Sequence, residues 1–270
     1  MLVSKINSGL GNQLFQYFTS FELSKRYNQE LYLETSFKKD NKRSFLLDKF
    51  DLNLKLREKS MFDTFNFELI KDKEKGFQNI ILKENRSYKL EGYWQSPKYF
   101  NSHKSFIINK IYKPINLKEI YSLSIQTLTV SIHVRRGDYV TNKQINNKFM
   151  LYEINFFNKA INIIEDLFKD KKIHYLIFSD DFNYIKENFK FLENKNIIKS
   201  NINNPMSEFQ MMMSCDHHII PNSTFSWWAA WINPNPKKKV LCPKKWFKLN
   251  KDNVFIKDLL PLDWIIVDEL

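Results

Sequence analysis

The side chains best suited to gripping an anion lie close together in His133-Val-Arg-Arg-Gly-Asp-Tyr139. The segment begins inside Val130 to Val134, an apolar run that reads as a buried strand. Strand alternation puts His133 and Arg135 on one face and Arg136 on the other. Adjacent arginines leaving a buried strand are costly unless an anion or a carboxylate meets them. The guanidinium fork fits phosphate oxygens two at a time, so a diphosphate is one such anion. An internal pair of Arg136 with Asp138 would also satisfy the charge. Asp138 is the nearest carboxylate that could act as a general base, and Tyr139 to Lys148 adds no further Asp or Glu.

Two later segments end apolar runs with polar groups of the same kind. In Phe178-Ser-Asp-Asp181, Asp180 reads as the N-cap of the next helix. That leaves Asp181 to accept N–H donors from a base such as guanine. Pro221-Asn-Ser-Thr-Phe-Ser-Trp-Trp228 sets Ser223, Thr224, Phe225 and Ser226 at a strand-to-helix junction, where free amides and the positive helix end favour an anion. The plainer alternative makes Ser223 and Thr224 caps and Trp227 and Trp228 core. His217 and His218 are adjacent on a strand, point to opposite faces and are read as structural.

The chain has only five glycines, so each one marks a backbone need. Gly9-Leu-Gly11-Asn12-Gln13 turns a first strand into a first helix. It lacks the third glycine of the dinucleotide fingerprint. It is then either a strand-end loop facing a ligand crevice, with Gly9, Gly11, Asn12 and Gln13 as contacts, or a tight turn only. Gly92 opens a second such segment, Gly-Tyr-Trp-Gln95.

The elements that must position these groups alternate. Strands are expected at Leu2 to Ile6, Tyr88 to Tyr93, Thr129 to Val134, His174 to Phe178, His218 to Ile220 and Lys239 to Leu241. Helices are expected at Asn12 to Tyr27, Tyr152 to Phe168, Phe182 to Phe189 and Thr224 to Trp231. Another runs from an Asn204-Pro205 start to Ser214. Alternation of this kind predicts an α/β chain with mainly parallel sheets and helices on both faces. An irregular joint near 113–127 divides it into 1–125 and 126–250, with 251–270 as a tail packing back on the core.

Composition narrows the partners. The chain has 270 residues, 43% of them hydrophobic and 16% aromatic, enough for a packed core. A formal charge of +12 favours phosphate-bearing partners. Its lysines are scattered rather than interleaved with aromatics along one element, which argues against a nucleic-acid binder. Cys215 and Cys242 stand singly and are expected reduced and buried. The first residues lack a signal-like apolar stretch, and no segment reaches the ~20 apolar residues of a membrane span. The expected place is the cytoplasm, with charge suited to peripheral contact with an anionic inner membrane face.

Taken in order, Gly9-Leu-Gly-Asn-Gln-Leu-Phe-Gln-Tyr17, Gly92-Tyr-Trp-Gln-Ser-Pro-Lys-Tyr-Phe100, His133 to Tyr139, Phe178 to Asp181 and Asn222 to Trp228 resemble the motif set of the bacterial α-1,2-fucosyltransferases. The resemblance runs from residue 1 to about 247 and departs at Ser8, usually glycine in that family, and at Leu14, usually methionine. It implies a GT-B-like fold of two facing Rossmann-type halves, the first on the acceptor side and the second binding the donor. It further implies GDP-L-fucose as donor, a galactose hydroxyl in a glycan as acceptor, inversion, and no metal or other cofactor. By position, Arg135 and Arg136 would meet the diphosphate, His133 and Asp181 would face the guanosine, and Ser223 to Ser226 would complete the phosphate site. The absence of Asp-x-Asp fits arginines as the charge clamp.

Overall fold

The computed structural model describes residues 1–35, 44–57, 66–73, 76–192, 194–199 and 205–268. It divides into two compact units, Met1–Ile111 with Val254–Pro261, and Tyr112–Asn253 with Leu262–Leu270. The division read from sequence at 125/126 and 250/251 differs from this. Residues 112–125 are built into the second unit, and the C-terminal stretch is split between the two.

In the first unit the strands are β1 (Leu2–Ile6), β2 (Leu31–Thr35), β3 (Leu56–Arg57), β4 (Glu68–Lys71) and β5 (Tyr88–Glu91), with helices α1 (Leu10–Arg26) and α2 (Lys104–Ile111). Their sheet order is β3-β2-β1-β5-β4, with all pairs parallel. Helix α1 buries Leu14, Phe15, Phe18 and Leu23, the apolar periodicity that predicted it. The C-terminal segment is pinned here by Asp258, which accepts a hydrogen bond from the Phe77 amide (2.9 Å) and pairs with Lys98 (2.5 Å).

The second unit opens with α3 (Leu117–Ile120) and continues through β6 (Leu128–Val134), α4 (Gly137–Thr141), α5 (Lys143–Lys148), α6 (Ile154–Leu167), β7 (Ile173–Ser179), α7 (Phe182–Asn188) and β8 (Lys195–Lys199). Then come α8 (Met206–Met213), β9 (His217–Ile219), α9 (Thr224–Ile232), β10 (Val240–Pro243) and β11 (Ile265–Val267), with α10 (Ile256–Leu259) belonging to the first unit. Sheet order is β11-β10-β9-β6-β7-β8, again all parallel. This is the doubly wound order in which the chain returns to the far side of its first strand. The sheet reverses between β6 and β9, the place where open α/β sheets form a ligand crevice beyond their strand C-termini. The first unit reverses in the same way between β1 and β5.

Alternation along β6 sends Val130, Ile132 and Val134 into a core with Phe156, Phe157, Ile161 and Ile164 of α6. Helix α9 is buried nearly all round. Trp227 and Trp228 are fully buried, with Trp227 stacked on Trp231 (ring centroids 5.8 Å), so the plainer reading of these indoles as core holds. Both cysteines are buried and unpaired, as expected. The expected Asn204 cap lies outside the described residues, and Pro205 precedes the helix rather than opening it. No helix among the described residues is long and apolar enough to cross a membrane.

Candidate functional site

Loops leaving β6, β7 and β9 bring most of the second-unit candidates together at one rim. His133, near the end of β6, is buried, and its Nδ1 lies 2.9 Å from Ser226 Oγ at the start of α9. Ser226 Oγ also lies 3.3 Å from the Ser223 carbonyl; in the tautomer where the hydroxyl donates there, Nδ1–H donates to Ser226 and Nε2 is a lone-pair acceptor. Burial pushes the His133 pKa down to about 4, while Asp180 raises it and Arg135 lowers it, so the ring is neutral near pH 7. This single bond spans the sheet reversal between β6 and β9.

Both arginines are partly buried, and carboxylates meet them. Arg135 reaches Asp138 and Asp180 through two different nitrogens and lies over the Tyr139 ring (5.7 Å). Arg136 donates from Nε to Asp181 (3.1 Å) and from Nη1 to Glu153 (2.8 Å), and its guanidinium stacks on Tyr184 at 3.6 Å. The alternative Arg136–Asp138 pair is therefore not formed: Asp138 serves Arg135. The reason is local, since the Arg136 amide is drawn to Asp180 (2.8 Å) while its side chain turns toward α6 and α7.

The two aspartates after β7 also exchange roles relative to the sequence reading. Asp181 is the N-cap of α7 and accepts from the Tyr184 amide (3.0 Å). Asp180 instead grips Arg135 and the Arg136 backbone. The numbering of the turn decides this, because Ser179 Oγ accepts from the Asp181 amide (3.0 Å) and begins the turn one residue later than expected. Both Asp181 oxygens thus already have partners, one at the cap and one at Arg136.

Gly137 is required by this packing. A Cβ there would collide with Oδ2 of Asp180 and approach its Cγ to 3.0 Å. Gly137→Ala is expected to push that carboxylate off Arg135 and lower turnover about 10-fold, roughly 1.4 kcal/mol of barrier. Steady-state kinetics beside a melting curve checks it, and unchanged turnover would remove Asp180 from the assembly.

At α9, Ser223 occupies the N-cap position but makes no side-chain cap bond, and the first turn carries no acidic residue. The capping alternative for Ser223 is therefore not what the structure shows. Thr224 and Phe225 are half-buried, with the Phe225 ring 6.0 Å from that of His133. A helix start without side-chain cap or acid favours an anion.

Sequence reasoning passed over three residues that hold this rim. Asn222 is buried, donates to the carbonyls of Met150 (3.0 Å) and Trp246 (2.8 Å), and accepts from Tyr139 Oη at its own carbonyl (3.2 Å). Tyr139 thereby ties the β6 loop to the β9 loop. Glu153, the partner of Arg136, stands at the start of α6 and belongs to no motif. Asn222 was marked in the sequence only as the first residue of the Asn222-to-Trp228 segment, beside Pro221 at the end of an apolar run. His217 and His218 are structural as read. His218 sits between Ser131 Oγ (2.8 Å) and Asn233 Nδ2 (2.9 Å), and His217 Nδ1 accepts from the Lys239 amide (3.0 Å).

The first-unit candidates form their own assembly around the reversal between β1 and β5. Gly9 is the N-cap of α1, and its carbonyl accepts from the amides of Asn12 (3.0 Å) and Gln13 (3.1 Å), while Gly11 is buried in the first turn. Gln13 donates to the carbonyls of Ser8 and Ser44 (2.8 Å each) and accepts from the Leu46 amide (2.9 Å), so its amide works as an internal staple. Asn12 accepts from Gln95 (2.8 Å), and Gln16 donates to the Gly92 carbonyl (3.0 Å), so the two glycine segments are bound to each other. Ser8 has φ of 66°, the left-handed region where glycine is unstrained, which accounts physically for the glycine usual at that position.

With this geometry in hand, comparison with known proteins becomes informative. The family model for "Glycosyl transferase family 11" matches residues 1–265. The chain belongs to that family. Family 11 relatives include the Escherichia coli "Alpha-1,2-colitosyltransferase", 27% identical over 100% of this chain and 99% of its own. The E. coli "O-antigen biosynthesis glycosyltransferase WbnK" is 28% identical over 95% and 98%. Among solved structures, NodZ alpha-1,6-fucosyltransferase co-crystallized with GDP aligns over 84% of this chain and 90% of its own, at 13% identity and a TM-score of 0.53. The E. coli ADP-heptose LPS heptosyltransferase II aligns over 98% and 89%, at 10% identity and a TM-score of 0.51. The structural likenesses concern the fold, which is GT-B-like in class: two α/β units with parallel sheets. This family 11 chain is a glycosyltransferase with a colitosyltransferase among its relatives.

Proposed function

We propose that the chain moves L-fucose from GDP-L-fucose to the 2-hydroxyl of a galactose residue in a glycan, with inversion at the anomeric carbon. The observation that carries the reading is the guanidinium pair at the exit of β6 together with an uncapped helix start after β9, the two strands between which the second-unit sheet reverses. Departure of GDP leaves negative charge on the diphosphate, and preorganised donors aimed there lower the barrier. Arg135, Arg136 and the α9 amides from Thr224 to Ser226 are those donors. No metal enters the proposal, and turnover is expected to survive a chelator. His133, neutral and in the tautomer with Nε2 free to accept, faces the nucleoside, and with Asp181 already doubly bonded His133 is the better placed of the two.

The carboxylates on Arg135 suggest how the donor enters. Asp180 is buttressed by Gly137 and the Arg136 amide, whereas the Asp138 side chain is 35% exposed. The diphosphate displaces Asp138, taking the Arg135 nitrogen it held. Released from Arg135, the Asp138 carboxylate is available to the acceptor hydroxyl. Asp138→Asn is therefore expected to bind GDP several-fold more tightly while losing about 100-fold in turnover, roughly 3 kcal/mol. Calorimetric titration with GDP checks it, and weaker binding in the variant would rule out the exchange.

A second donor deserves a place beside fucose because one family relative is called a colitosyltransferase. Colitose is fucose without its 3-hydroxyl, so the same diphosphate grip serves both. Turnover of GDP-fucose, GDP-colitose, GDP-mannose and UDP-galactose on a galactoside acceptor decides between them. Fastest transfer from GDP-fucose supports the proposal, and transfer from UDP-galactose alone would end it.

A further inference from the structure

Backbone strain in the first unit falls where its sheet reverses. Among the described residues of that unit, Ser8 after β1 (φ 66°) and Trp94 after β5 (φ 56°) have positive φ without being glycine or asparagine. For a side chain as large as an indole this is an outlier that the surroundings must enforce. Asp72 enforces it. One of its carboxylate oxygens accepts from the amides of Tyr93 (3.2 Å) and Trp94 (2.8 Å), and a Cβ on Gly92 (φ 150°) would collide with Asp72.

The strained turn sends two neighbouring aromatic side chains apart. Trp94 is buried and edge-on to Tyr99 (ring centroids 5.9 Å apart, planes at 88°), while Tyr93 stays 37% exposed. Tyr93 Oη lies 3.2 Å from Ser8 Oγ, which itself donates to Asn7 Oδ1 (3.1 Å), so the ring is tethered at both ends. In the same loop Gln95 Nε2 donates to Asn12 Oδ1 (2.8 Å), which leaves the Asn12 amide N–H groups and the Gln95 carbonyl for hydroxyls. Lys5 and Glu91, charges near the ends of β1 and β5, pair with each other (3.5 Å). This rim thus presents amides, hydroxyls and an aromatic face, where the rim of the second unit presents guanidinium groups and carboxylates.

We propose that Tyr93, Asn12 and Gln95 form a pyranose subsite for the acceptor, with the Tyr93 ring as the platform beneath the sugar; the assignment rests on the glycosyl transfer proposed above. A phosphate-bearing ligand needs cations, and this cluster offers none. A sugar hydroxyl is donor and acceptor at once, which the paired Asn12 and Gln95 amides match. The negative face of an aromatic ring attracts the weakly positive C–H bonds of a pyranose. The axial 4-hydroxyl of galactose gathers the C–H bonds at carbons 3, 4 and 5 on one face, whereas glucose turns the middle one to the other side. Tyr93 therefore selects a galactoside over a glucoside. The strain at Trp94 keeps Tyr93 turned outward before the sugar arrives.

The test titrates methyl β-galactoside and methyl β-glucoside into the whole chain, with and without GDP, and reads binding by saturation-transfer NMR. Binding rather than turnover is read, so the result does not depend on the donor sugar. The wild type is expected to bind the galactoside at least about 5-fold more tightly than the glucoside. Tyr93→Ala is expected to weaken galactoside binding at least about 10-fold and to erase that preference, with GDP affinity unchanged. Tyr93→Leu fills the space without a π face and is expected to behave alike, which covers the case in which alanine unfolds the loop. Tyr93→Phe keeps the ring and is expected to stay within about 3-fold of the wild type, while Asn12→Ala loses about 5-fold. Wild-type galactoside affinity in a folded Tyr93→Ala or Tyr93→Leu, no galactoside binding by the wild type, or an equal fall in GDP affinity would each overturn the subsite. Failure of the proposed donor shows separately, as galactoside binding by a chain that does not turn over GDP-fucose.

Discussion

Arg135→Lys is expected to cut transfer about 100-fold, close to 3 kcal/mol of barrier, while the melting temperature moves by only a few degrees. Lysine keeps the positive charge between Asp138 and Asp180 but has one nitrogen where the guanidinium offers a fork. Alanine would be a poorer probe. It would leave the two carboxylates facing each other without a cation, and part of the lost activity would be lost folding. Arg136→Lys is expected to cost a similar factor, since it also loses the stack on Tyr184 (3.6 Å) and the shared hold on Asp181 and Glu153. Near-normal turnover in both lysine variants would remove the clamp from the mechanism.

Acidification is expected to destabilise the second unit well before its carboxylates protonate. His133 is buried with its pKa pushed down to about 4, and burial holds His218 well below its usual value. An unfolded histidine takes up its proton near pH 6.5, so below that value the unfolded chain gains protons that the folded one refuses. The stability these residues confer is complete above about pH 6.5 and drains away as pH falls toward 4, by up to ~3 kcal/mol for His133. Urea unfolding at a series of pH values between neutral and mildly acid checks it. His133→Gln should flatten the slope, and a wild-type stability that does not change across that interval would contradict the neutral-ring assignment.

Much of this fold is legible in the sequence because its strands are apolar and its helices periodic. Leu2–Ile6 and the helix after it came out almost to the residue. Loops were harder for identifiable reasons. A cap can fall on either of two adjacent aspartates, and only the Ser179 turn decides that Asp181 takes the role. An arginine pair can choose among several carboxylates, and Glu153 entered from a helix that no motif marks. The polar residues Gln13 and Asn222 looked chemical or merely opened a motif, yet each satisfies buried backbone groups, a demand visible only once the chain is folded. The domain division read from the sequence differs in its bounds from the two compact units, because a chain that crosses back leaves no composition signal where it does so.

At the centre lies one claim: the guanidinium pair at the β6 exit holds the diphosphate of the donor. Titration of GDP and of guanosine into the wild type and the Arg135→Lys variant reads it most directly. Loss of at least about 10-fold in GDP affinity, with guanosine binding untouched, is the predicted result. Equal GDP affinity in the two proteins would contradict it.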